Sequence, residues 1–100
     1  MRRYQDVALR TAHLVAPEAD AGTRRIVARY QRAASSADTA VALLRLAYGL
    51  DVSPSLGRVR APTLVLDRLG DRAAPPGGGQ LLAQAIPQAE LVELEGRSHL

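Results

Sequence analysis

Two residues near the end of this sequence have the chemistry to hand a proton back and forth. Asp71 follows a glycine in Leu69–Gly70–Asp71–Arg72, and His99 ends the run Gly96–Arg97–Ser98–His99. An imidazole titrates near neutral pH, so it can take a proton and return it within one reaction cycle. A carboxylate bonded to one ring nitrogen holds the tautomer and stabilises the imidazolium that forms. Asp67 is the competing acid; its simpler role is a loop-facing carboxylate paired with Arg68 or Arg72. His13 falls on an expected helix and is given no catalytic part. Alone, Gly70–Asp71 is an ordinary turn pair and His99 an ordinary solvated side chain. The two acquire meaning only if the fold brings them together.

Other chemistries find less support. No Gly-x-Ser-x-Gly elbow occurs, and Ser35, Ser36, Ser53, Ser55 and Ser98 stand in other contexts. The chain has no Cys, which excludes disulfides, thiolate catalysis and Cys-based zinc sites. Glu90, Glu93 and Glu95 alternate near an expected strand, and with one candidate histidine nearby they read as exposed strand positions, not metal ligands. Gly77–Gly78–Gly79 lacks the Lys-Ser/Thr ending of a phosphate-binding loop and reads as a flexible entry to a helix. No cofactor is therefore expected.

The net charge is +3 and every basic residue is Arg, but only Arg2–Arg3 and Arg24–Arg25 are adjacent. Without clustering or interleaved aromatics, no nucleic-acid surface is expected. No run approaches the roughly 18 apolar residues of a membrane span. Asp6, Arg10 and His13 break up the only N-terminal stretch that could pass for a secretion signal. A cytoplasmic location is the corresponding expectation.

The elements that must position Asp71 and His99 can be read from the spacing. Aromatics are 3% of residues, all Tyr, so the core must be aliphatic, which suits helices packed on a sheet. Residues 1–50 are expected to be helical. Val7, Ala8, Leu9, Ala12, Leu14 and Val15 mark a first helix that Pro17 ends. Asp20 or Thr23 would cap a second, burying Ile26, Val27 and Tyr30. Ser36 would cap a third, with Ala40, Leu43, Leu44 and Ala47 on one stripe and Gly49 at its end. Residues 51–62 read as a connection with room for a short helical turn. Thr63–Leu66 is expected to be a strand buried on both faces, Gln80–Ile86 a helix and Leu91–Leu94 a second strand. Strand, helix and strand so close together form a parallel βαβ unit. Asp71 and His99 follow successive strands, so both should leave the same edge of the sheet, where ligands of such sheets gather.

The ordered set Pro62–Pro75, helix and Glu90–Leu100 resembles the end of α/β-hydrolase domains. In that family the triad carboxylate follows the seventh strand, commonly as Gly-Asp, and the histidine follows the eighth, commonly as Gly-x-x-His. Ala28–Val52 resembles the cap-side helices of a bacterial subgroup often fused to nucleotide-cyclase or helix-turn-helix output domains. The resemblance implies an α/β fold class: a partial α/β-hydrolase fold, with a cap-like helical segment over 1–50 and a βαβ part over 51–100. It assigns Asp71 as triad acid and His99 as general base. The nucleophile elbow and the family's final helix are missing, so the sequence looks truncated at both ends and the isolated chain is expected to be inactive.

Three functions compete. The first is part of a serine hydrolase acting on a small ester, lactone or amide. The second is a non-catalytic, small-molecule-sensing module of a signalling protein. The third is a poorly folded remnant. A lone parallel pair leaves strand edges and an apolar face uncovered, so self-association or a partner carrying the missing strands is expected.

Overall fold

The computed structural model of the chain describes residues 2–99. They fall into two compact units, one ending at Leu50 and the other running Asp51–His99.

The first unit holds helices α1 (Arg2–Val15), α2 (Ala21–Ala34) and α3 (Ala37–Gly49). Each boundary has a local cause. α1 stops two residues short of Pro17, whose ring excludes helical geometry just before it. Asp20 caps α2 by accepting from the Thr23 N–H at 2.6 Å, and Ser36 caps α3 by accepting from the Thr39 N–H at 3.2 Å. Each cap satisfies a backbone donor that the first helical turn leaves without a partner.

α1 and α2 meet through alanine. Ala8 and Ala12, one helical turn apart, cluster with Ala28, and Val27 packs against them half-buried. Side chains this small let two helix axes approach closely, which pushes larger residues to the rim. The expected buried face of α2 is corrected accordingly: Ile26 and Tyr30 are exposed, and Ala28 takes the central place. Val7, Leu9 and Leu14 of α1 are exposed for the same reason. The Tyr4 hydroxyl donates to the Ser35 carbonyl at 3.1 Å, tying the start of α1 to the end of α2. The stripe on α3 is also exposed at Leu43 and Leu44.

The second unit opens with a short 3-10 helix (Ser53–Arg58), started by the Asp51 carboxylate accepting from the Ser53 N–H at 3.0 Å. It continues through β1 (Leu64–Arg68), α4 (Gly78–Ala85) and β2 (Glu90–Leu94). β1 and β2 pair in parallel, Val65 opposite Leu91 and Asp67 opposite Glu93. This is an α/β arrangement, a helical half followed by a parallel βαβ unit. α4 begins two residues before the expected Gln80, at Gly78, after Gly77 takes a left-handed φ of 78°.

α4 covers one sheet face only. Val65 of β1 and Ile86 at the end of α4 are buried. Side chains alternate along a strand, so Leu64 and Leu66 lie on the opposite face, with Val92 beside Leu66. That face is open, and Leu66 is 60% exposed. The expectation that β1 is buried on both faces is therefore corrected: a single helix can shield only one side of a two-stranded sheet.

Candidate active site

Asp71 and His99 meet beyond the carboxyl ends of β1 and β2. The Asp71 Oδ2 lies 2.7 Å from the His99 Nδ1. Parallel pairing is the cause at the level of the fold, because it sends both chains out of the sheet at one end. Three contacts at and beyond the strand ends then hold the two loops side by side, and a fourth closes the turn before Asp71. The Leu69 N–H donates to the Leu94 carbonyl at 2.9 Å, and the Gly70 N–H to the Gly96 carbonyl at 3.0 Å. The Arg68 guanidinium donates to the Glu95 carbonyl at 3.2 Å. The Asp71 N–H turns back to the Arg68 carbonyl at 3.1 Å, closing a tight turn.

Within that turn the carboxylate is fixed at both oxygens. Oδ1 accepts from the Ala73 N–H at 2.8 Å, which leaves Oδ2 aimed at the imidazole. The hydrogen bond to His99, with smaller help from the Ala73 N–H, holds the Asp71 carboxyl below its ordinary pKa. An ionised carboxylate can only accept, so the His99 Nδ1 carries the proton. In the neutral ring this leaves Nε2 as the acceptor, the state required of a general base. The pair is graded in exposure: the Asp71 side chain is 10% accessible and that of His99 46%. The acid is sheltered while the imidazole edge remains reachable.

Asp67, the competing acid, lines the same cleft as the pair but packs on α4. It lies against Gly79 at the start of α4, where an added Cβ would fall 2.6 Å from the Asp67 Cγ and 2.7 Å from its Oδ2. Gly79 is therefore more than a flexible entry to the helix: its missing side chain is the space that Asp67 occupies. Gly70 has a comparable role against Gly96 and Arg97. Neither close approach is visible in the sequence, where both glycines look like turn formers. His13 is exposed on α1.

A cleft of about 630 Å³ opens at the pair, lined by Val52, Leu56, Val65, Leu81 and Leu82 together with the polar Asp67, Arg68, Asp71 and His99. An apolar wall with a few converging polar groups is the usual make-up of a small-molecule site. Among the described residues no group of three His, Cys, Asp or Glu could hold a metal ion, and Glu90, Glu93 and Glu95 form none. No helix among them is long and apolar enough to cross a membrane. No protein-family model, curated protein or solved structure matches the chain.

The geometry makes a statement about pH. The native Asp71 pKa is depressed relative to the unfolded chain, so its contribution to stability is complete above the ordinary carboxylate pKa of about 3.9. It is lost as pH falls through the depressed native value. Thermal unfolding of the second unit is expected to lose part of its acid sensitivity in Asp71→Asn. An unchanged pH profile in that variant would contradict the pairing.

Proposed function

We propose that this chain is the C-terminal part of an α/β-hydrolase-fold serine hydrolase, with Asp71 as triad acid and His99 as general base. The observation that carries the reading is the 2.7 Å contact between Asp71 Oδ2 and His99 Nδ1 at the carboxyl end of a parallel strand pair. In this reading Nε2 takes the proton of a serine hydroxyl as it attacks an ester, lactone or amide carbonyl. It then returns that proton to the leaving group. Asp71 stabilises the imidazolium in between. The serine and its oxyanion hole come from residues outside 1–100, because none of the serines here lies in an elbow motif.

The cleft supports a second reading, a small-molecule-sensing module without turnover. Its mix of aliphatic side chains with Asp67, Arg68, Asp71 and His99 suits a small ligand with an apolar body and a polar group, whether or not a bond is broken. In the hydrolase reading, p-nitrophenyl ester hydrolysis requires a polypeptide uniting these residues with a Gly-x-Ser-x-Gly segment, and residues 1–100 alone give none. In that polypeptide Asp71→Ala or His99→Ala is expected to lower kcat by roughly 10⁴-fold. Wild-type turnover in both variants would remove the assignment, and ligand binding without turnover would favour the sensing module.

The open sheet face bears on partners. Full burial of a Leu or Val is worth about 1.5–3 kcal/mol, and a whole domain is stable by only about 5–15 kcal/mol. Leaving Leu64, Leu66 and Val92 uncovered is therefore a substantial drive to association. The chain is expected to self-associate or to bind a polypeptide carrying further strands. Sedimentation velocity should show mass rising with concentration. A monomer at all concentrations, with a sharp calorimetric unfolding peak, would contradict this.

A further inference from the structure

The two loops that carry Asp71 and His99 touch at a point where there is no room for a side chain. A Cβ at Gly70 would lie 2.6 Å from the Gly96 carbonyl oxygen, 2.8 Å from the Arg97 Cγ and 3.3 Å from the Arg97 Cα. Two of these three neighbours are backbone atoms, so rotating a side chain cannot relieve the overlap. At the same point the Gly70 N–H donates to the Gly96 carbonyl at 3.0 Å. Gly96 itself has a φ of 105°, a conformation that side chains disfavour. That turn brings its carbonyl to face Gly70. The contact continues the β1–β2 pairing past the last strand residues, after the Leu69 N–H to Leu94 carbonyl bond. It ends one residue before Asp71.

We propose that Gly70 is the positioning residue of the Asp71–His99 pair: its missing side chain lets the loop after β1 lie flush on the loop after β2, and its N–H locks them there. The inference rests on the functional reading above and adds the part that sets the geometry. A 2.7 Å contact between two loop side chains tolerates little drift. Without the lock, only the Leu69–Leu94 and Arg68–Glu95 hydrogen bonds, both further from the carboxylate along the chain, would set the distance between the loops. Widening the Gly70–Gly96 contact by the room a methyl group needs would carry Asp71 off the imidazole, while the ladder from Leu64 to Arg68 kept its own hydrogen bonds.

The test uses the whole chain, labelled with ¹³C and ¹⁵N, and follows the Asp71 carboxyl carbon with pH. In the wild type Asp71 should titrate below the ordinary carboxylate range, and His99→Ala should raise its midpoint. In Gly70→Ala the midpoint should move at least halfway to the His99→Ala value, with the β1–β2 amide signals retained. Gly57→Ala is the control, since a Cβ there meets nothing within 4 Å; it should titrate as wild type. A Gly70→Ala midpoint equal to wild type, with His99→Ala still shifted, would overturn the inference and leave the functional reading standing. A wild-type midpoint that His99→Ala does not move would remove both. Should Gly70→Ala fail to fold, amide exchange in the wild type decides. Protection of the Gly70 N–H comparable to that of Leu69 supports the lock, and exchange at the rate of an unstructured amide refutes it.

Discussion

The parallel pairing of β1 and β2 is the constraint on which the site depends. Asp71 and His99 are distant in sequence, and neither loop is long enough to search for the other. Parallel register sets both exits at one end of the sheet, and the hydrogen bonds past the strands carry that register to within a residue of the carboxylate. An antiparallel pair would have put the two loops at opposite ends. α4 makes the parallel pairing possible by carrying the chain back across one face of the sheet.

Small residues do the close work in both units, for different ends. In the first, alanines bring two helices together and leave the larger aliphatic side chains outside. In the second, glycines make room for functional backbone and carboxylate. Gly70 admits the neighbouring loop and Gly79 admits Asp67. The two candidate acids are thereby sorted. Asp67 is taken up by the start of α4, and Asp71 is left to face the imidazole. Asp67 and Asp71 line one cleft, yet only Asp71 is hydrogen-bonded to the imidazole.

Much of this was legible in the residues. Asp20, Ser36 and Pro17 announce their helix boundaries because caps and proline act through local backbone chemistry. Val65 with its neighbours and Leu91–Leu94 announce strands, and the helix between them implies the parallel crossover. The common edge for Asp71 and His99 follows from that alone. Burial was harder to read. Ile26, Tyr30, Leu64 and Leu66 have the character of core residues, but which face is covered depends on what other elements lie against it. Ala8, Ala12 and Ala28 give little hydrophobic signal, though they form the buried cluster between α1 and α2. The tight approaches at Gly70 and Gly79 were hidden for a similar reason: a glycine before an aspartate, or in a run of three, reads as a turn until its neighbour in space is known.

The central claim is that an ionised Asp71 holds the His99 ring with its proton on Nδ1. Imidazole ¹⁵N chemical shifts above the histidine titration range report this directly, and His13, exposed on α1, supplies an internal reference in the same sample. The structure requires His99 to be the Nδ1–H tautomer with a bare Nε2, and Asp71→Asn to abolish that preference. A His99 ring with the same tautomer balance as His13, unaffected by Asp71→Asn, would contradict it.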